Sequence, residues 1–397
     1  MKRTFDLFAC FPLQDDSDLA QLKKGFKANP AMHGRLLSAA LGEEKLVEER
    51  LKEKSLKENA RVDYRSLVHQ RGHKSNAYEQ QVIAPRLKMM NDLKLLDPNP
   101  GEALSHFPVC SFFLQIRFTL SKPYLSRDDE AFYIIDNPLK KEKVFSVPYI
   151  APASWKGNLR WTTMYMRIAL PLAEKKRELL DSVGEARAQE EYKAYAAELA
   201  EERLRHTLLF GSEQGWQEDR ADGWTKYLDD LMKTQAKEKY RELLRKHFKV
   251  SKKDPIPHSQ GRLQFFPTYL DRIDLEVINP HDRKTRTGKQ PIYFEVSPAG
   301  AKGVFSLLYT PFDLVGNENT PRTTVQKDLE TVIEGVRGML CEYGFSAKKS
   351  SGFGVADPNS IAGRLDVNDP GWDERGGDWE SFDELRQLTR QWQEVAR

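Results

Sequence analysis

The chain has 397 residues, more than one compact unit of roughly 100–150 residues needs, so a decorated core or two units is expected. Hydrophobic residues make up 39%, enough for a core, and charged residues make up 30%, which points to long solvated helices or a polar binding surface. The formal net charge is only +3, so bulk charge does not mark a nucleic-acid binder and any polyanion site must come from local clustering.

Three cysteines, Cys10, Cys110 and Cys341, stand far apart and form no CxxC pair. That spacing excludes a zinc ribbon or a disulfide scaffold and fits a reducing compartment. The start, MKRTFDLFACFPL, has basic residues and a short apolar run, but Asp6 breaks the run and no small-residue cleavage site follows. No stretch reaches the length of a membrane helix. A soluble, cytoplasmic protein with no membrane partner is expected.

Along the chain, residues 1–105 read as an N-terminal extension of unknown role. TFDLFACF has strand character, and the pattern from Glu43 onward is that of an exposed charged helix. DPNPGEA at 97–103 is turn chemistry and a boundary. A core is expected over 106–357. SFFLQIRFTL at 111–120 is aromatic, apolar and partly alternating, as a strand is. A polar loop at 126–143 leads through a Pro-bounded segment into a helix starting near Ser154. Residues 166–250 carry apolar positions at three- and four-residue spacing amid Glu, Lys and Arg, which predicts a helical insertion. Strand character returns at 261–266, 273–278, 291–297 and 303–309. A helix at 325–343 and a glycine-rich loop at 344–354 follow. The stretch 358–379 is Pro/Gly/Asp-rich and reads, with a final amphipathic helix over 381–396, as a C-terminal linker and helix. Strands and helices mix without strict alternation, so the class is α+β.

Four motifs carry chemistry. In PASWKGNLR (152–160), Ser154 can cap a helix, and Lys156 and Arg160 lie four apart on one face. Free backbone N–H groups and the helix dipole add to a phosphate-binding start. Read alone, the same residues also suit an ordinary capped helix with a basic surface. In GFSAKKSSGFG (344–354), glycines including Gly352 permit close approach. Lys348, Lys349, Ser350 and Ser351 supply charge and hydroxyl donors for a phosphodiester backbone. Its spacing is neither a Walker loop nor GxGxxG. In INPHDRKTRTGKQPIYFE (278–295), Arg283, Lys284, Arg286 and Lys289 crowd a segment between two strands, a protruding basic hairpin over 279–291. His281 in it suits a general base or a structural turn residue. In IIDNPLKKEKVF (134–145), Asp136 precedes Asn137-Pro138. It is either a turn starter or a carboxylate that holds a metal or takes a proton. HQRGH at 69–73 has zinc-like spacing without the glutamate such motifs use. Phe265, Phe266, Tyr269, Tyr293 and Phe294 suit base stacking or a sheet core.

The order of these pieces resembles the RAMP superfamily of CRISPR-associated proteins. The order is a strand, IDNPL, PYIAPASWKGNLR, LLFGS at 208–212, GRLQFF, a basic hairpin and a C-terminal glycine loop. The resemblance covers about 111–160, 208–212, 261–310 and 340–356. Trp155 stands where Ser, Leu or Ile is more usual. Ser126-Arg127-Asp128-Asp129 stands where a glycine-rich segment is common.

The resemblance implies a ferredoxin-like (RRM-like) core with a glycine loop near RNA and a β-hairpin thumb at 279–291. It implies a guide-RNA-binding backbone subunit of a type III effector, with guide CRISPR RNA, complementary target RNA, other effector subunits and further copies of itself as partners. In that role Asp136 cuts the target RNA with Mg²⁺ or another divalent cation, the target's 2′-OH being the nucleophile. Ser154, Lys156, Arg160, His281, the hairpin cations and the 348–352 loop hold RNA. Lys140, Lys141 and Lys143 are further candidates for phosphate contacts. Two alternatives stay open: a non-catalytic RNA-binding or capping subunit, which usually lacks the aspartate and can carry long insertions, and a guide-processing endoribonuclease using a histidine such as His281.

Overall fold

The computed structural model describes residues 76, 78–96, 98, 100–127, 137–183, 185–213, 223–279, 291–316, 322–371 and 376–395. The expected strand near the start, the charged helix from Glu43, HQRGH, Asp136 and the basic residues 281–289 lie outside them.

Strand β1 (Phe112–Thr119) runs through the middle of the main sheet. Its side chains alternate between two faces, as a strand requires. Phe112, Leu114, Ile116 and Phe118 enter the principal core. Phe113 turns the other way to Leu104, Leu308 and Phe266. β1 pairs antiparallel with β7 (Lys302–Tyr309), and Phe112 stacks on Tyr309 with ring centroids 4.5 Å apart. Opposite Phe118 stands Gly303, where a Cβ would come within 2.8 Å of the Phe118 ring.

Four of the sheet strands follow one another as strand–helix–strand–strand–helix–strand. They are β1, then α2 (Pro152–Met164), β3 (Leu263–Phe265), β7, α6 (Arg322–Gly338) and β8 (Ala362–Val367). In space the order is β3-β7-β1-β8, every neighbour antiparallel, with β9 (Gly376–Trp379) beyond β8. The segment 358–379, expected as linker, therefore supplies a strand paired directly with β1. AGRLDV is short and carries two charges, which hid its alternation. Leu365 and Val367 are buried, and Arg364 pairs with Asp366 along the strand. The closing helix α7 (Phe382–Val395) buries Leu385 and Trp392.

α2 begins two residues before Ser154. Ala151 is its extended N-cap, Pro152 occupies the first turn, and no side chain caps it. A proline there fixes φ and loses no helical hydrogen bond, so the expected Ser154 cap is replaced by Pro152. α3 (Leu170–Val183), α4 (Glu185–Phe210) and α5 (Gly223–Phe248) form the insertion. Met164, Ile168, Leu172, Leu199, Leu228 and Met232 make it a small apolar core of its own.

The described part of the N-terminal region is built into the principal core. Tyr78, Val82, Ile83 and Met90, around helix α1 (Ala84–Asp92), are buried there. Asn76 donates to the Ile273 carbonyl, the Ile273 amide donates to Glu79, and the Tyr78 hydroxyl donates to the Ser146 carbonyl. Two short ribbons complete the fold: β2 (Tyr149–Ile150) with β4 (Thr268–Tyr269), and β5 (Asp274–Ile278) with β6 (Ile292–Val296). No helix among the described residues is long and apolar enough to cross a membrane.

Candidate nucleic-acid interface

The first turns of α2 are fixed from beneath by Trp155. Its fully buried ring meets Phe305 and Phe345, at centroid distances of 4.9 and 4.7 Å, and its indole N–H donates to Thr268. The outer face carries Lys156 and, one turn on, Arg160. Burial, and the Arg160 charge beside it, push the Lys156 ammonium below its usual range. Arg160 is turned toward the helical insertion. Its guanidinium carbon lies 5.8 Å from the Trp224 ring, and its Nε and Nη2 have no hydrogen-bond partner among the described residues. The carbonyl of Arg160 lies 2.9 Å from His206 Nε2. A carbonyl only accepts, so Nε2 carries the proton in this contact.

The glycine loop closes onto the same helix. Gly344, Gly352 and Gly354 all have positive φ, and Lys348 is left-handed as well. Gly354 is required by contact too, since a Cβ there would lie 2.3 Å from Ser346 Cβ. Asn158 of α2 donates to the Phe345 carbonyl at 3.1 Å. Ser346 Oγ accepts from the Leu125 amide and donates to the Leu125 carbonyl. The Lys349 ammonium sits 5.0 Å from the Trp161 ring of α2, and burial lowers its pKa. The Lys348 ammonium sits 3.8 Å from the Phe294 ring of β6. Ser350 and Ser351 are exposed.

β6 is the returning strand of the hairpin whose tip was expected at 279–291. It also anchors the chain just after Asp136. Asn137 donates to the Tyr293 carbonyl and its own carbonyl accepts from the Glu295 amide. The Leu139 amide donates to the Glu295 carboxylate. On the other side of the 128–136 segment, Tyr124 exchanges two backbone hydrogen bonds with Ser297. The chain on either side of 128–136, strand β6, the glycine loop and α2 thus meet at one end of the sheet.

One expected cation does not belong to this surface. Lys141 is buried and paired with Glu295, so it anchors the loop and offers nothing to a phosphate. Lys140 is half-buried and Lys143 exposed. Sequence reading missed Asn158, Trp161 and Glu295. Only pairing across the fold reveals them, because each partner is more than a hundred residues away or in another element. Among the described residues no group of three or more His, Cys, Asp or Glu side chains could hold a metal, so they do not by themselves fit a divalent cation.

A search of the curated proteins found no match. Among solved structures the chain is similar to a subunit of a type III-B Cmr-beta complex bound to cognate target RNA. That likeness is at 13% identity and a TM-score of 0.34, covering 71% of this chain and 67% of that one. It is also similar to a chain of a CRISPR RNA-guided surveillance complex in a pre-nicking state, at 12% identity and TM-score 0.32, covering 64% and 78%. A third likeness is to Csc2 of Thermofilum pendens, at 12% identity and TM-score 0.30, covering 77% and 82%. The family comparison is the decisive one: residues 99–357 match the RAMP superfamily, a span that holds β1, α2, the insertion, β5, β6 and the glycine loop, and on that match the chain belongs to the RAMP superfamily.

Proposed function

We propose that this protein is a guide-RNA-binding subunit of a type III CRISPR effector, and that it cuts complementary target RNA at Asp136. The observation that carries the reading is the gathering of four elements at one end of the sheet: the α2 start, the glycine loop, the hairpin roots and the chain beside Asp136. We read β1-α2-β3-β7-α6-β8 as a ferredoxin-like unit, since its spatial order is fourth–first–third–second with all neighbours antiparallel. We read residues 279–291 as its thumb.

In this reading Lys156, Lys348 and Lys349 lie along the path of an RNA backbone. Lys348 rests on Phe294 and Lys349 on Trp161, so the aromatic rings hold the ammonium groups in place without neutralising them. Glycine backbone and serine hydroxyls supply neutral donors between them. Asp136 would act on the target 2′-OH by orienting it or taking its proton. By resemblance this cut depends on a divalent cation, whose ligands would have to include residues outside the described ones.

The long insertion favours a second reading, a capping subunit that holds RNA without cutting it. The two readings share the RNA surface. Binding of guide RNA by the purified full chain tests that surface. Lys156→Glu and Lys348→Glu are each expected to weaken binding several-fold, evenly across sequences, and to flatten its salt dependence. Unchanged affinity in both variants would refute the phosphate assignments.

A further inference from the structure

The face of the sheet turned away from α2 carries a second feature, a cleft of about 420 Å³. That volume lies within the roughly 300–1,000 Å³ span of ligand pockets. One end of this face is sealed by Pro98 and residues 100–107. Leu104 packs on Phe113 and Leu308, and the Gln115 side chain donates to the Pro98 carbonyl. The other end is open. Leu87 and Leu96 wall it, Val304 and Thr119 lie in its floor, and Arg117 and Lys302 stand on it.

Two features of the lining define a ligand. The first is charge. Arg117 and Lys302 are both exposed, and among the described residues no carboxylate lines the cleft. Arg117 pairs across the strands with Val304 and Thr119 with Lys302, which makes the two cations diagonal neighbours on one face. The Arg117 side chain makes no hydrogen bond or ion pair among the described residues. Asp271 takes the Lys302 amide by its carboxylate but lies off the lining. The second feature is the shortage of a stacking platform. A bound nucleobase needs an open aromatic face. The two aromatic residues at the cleft are engaged: Tyr269 lies against Tyr149, and the Phe118 ring is in the core against Trp155 and Phe345. Aliphatic walls and paired cations suit a peptide better than RNA.

We propose that this cleft docks an acidic segment of a partner protein, with a carboxylate between Arg117 and Lys302 and a large apolar side chain between Leu87 and Leu96. The surface is separate from the Lys156 and Lys348 face. Phe118 points toward α2 while its neighbours Arg117 and Thr119 point away. Loss of one site therefore leaves the other testable.

The test uses the full chain against an array of ten-residue peptides. Each peptide carries an Asp or Glu pair beside one Leu, Ile, Phe or Trp, with Lys-for-acid and Ala-for-apolar counterparts. Binding is expected to select the acidic–apolar members. It should weaken at least tenfold in Arg117→Glu/Lys302→Glu, and the charge-reversed protein should gain the Lys-bearing peptides. Val304→Phe, which fills the floor without changing charge, should abolish binding. Guide-RNA affinity should stay unchanged in all these variants. Three results would each overturn the proposal: peptide binding indifferent to these variants or absent across the array, a ten-nucleotide RNA lost in the same variants, or a dimer of this chain that the same variants dissociate.

Discussion

Under the sheet, Trp155 is fully buried among Phe118, Phe305 and Phe345, and its single polar atom is satisfied by Thr268. Some fifty residues on, in the insertion, Arg203 is just as completely buried. Its guanidinium forks onto Glu213 with two hydrogen bonds, reaches Asp229 at 2.8 Å, and lies 4.2 Å from the Tyr240 ring. Burial alone would loosen the Arg203 proton, but Glu213, Tyr240 and Asp229 together outweigh it and hold the proton more firmly than water would, while burial pushes the Tyr240 hydroxyl well above its ordinary range. The first region is held by non-directional apolar burial, the second by a charge cluster that must be complete to be tolerated. A buried ion pair is weak evidence of stabilisation but strong evidence of specified geometry.

The largest expected effects test that contrast. Trp155→Ala should cost about 3–5 kcal/mol, because it opens a cavity in a packed core. Arg203→Ala should cost a similar ~3–5 kcal/mol, because it leaves the fully buried Glu213 without its cation and Asp229 with only the partly exposed Lys237 and Arg241. The regions then diverge. Replacing Arg203, Glu213 and Asp229 together by apolar residues of similar volume should restore most of the stability. Urea unfolding measures all of these variants. A triple variant no more stable than Arg203→Ala would show that the cluster is more than a tolerated polar core.

The glycine loop offers a smaller, graded comparison. Gly354→Ala forces a Cβ into Ser346 and should disrupt the loop, releasing Phe345 from Trp155. At Gly352 nothing lies within 4 Å of the added Cβ, so only the positive φ is penalised. That penalty is roughly 1–2 kcal/mol. Comparing thermal melting of the two variants separates contact from conformation. Equal losses would contradict the close packing at Gly354.

Smaller still is a pH effect in the insertion. Burial drives His206 down to about 4, so the folded protein refuses a proton that the unfolded chain accepts near pH 6.5. Stability should be full above that pH and fall as pH drops toward 4, by a total of about 3 kcal/mol from this group. His206→Gln should flatten the fall in that window. Parallel pH–melting curves for wild type and variant would remove His206 from the account.

These contrasts also explain what the sequence disclosed. Strand β1, the hairpin strands and α6 were legible because apolar spacing matches their period. The insertion was legible as helix, but not in its interior. Arg203 sits in a run of charges that reads as a solvated face, Glu213 lies in the Gly-Ser turn after α4, and only the fold brings the two together in the interior. β8 was missed because two charges and a glycine break its alternation, although Gly363 is where the Trp379 ring packs. At the candidate site, Lys156, Lys348 and Lys349 were legible as charge on a helix start and a glycine loop. Trp161, the support of Lys349, was not, and Phe294 was legible as a stacking or core aromatic but not as the support of Lys348, since the supporting rings come from other elements. Lys141 looked like its neighbours Lys140 and Lys143, and only Glu295, brought by β6, distinguishes it.

The proposed cutting of RNA at Asp136 can be tested on the assembled complex. Guide-loaded complex containing this chain is incubated with complementary target RNA and Mg²⁺, with wild type and Asp136→Ala compared side by side. Wild type is expected to cut the target, and Asp136→Ala to abolish the cuts while guide and target remain bound. Cutting that persists undiminished in the variant, or wild-type complex that binds target and never cuts it, would contradict the catalytic role.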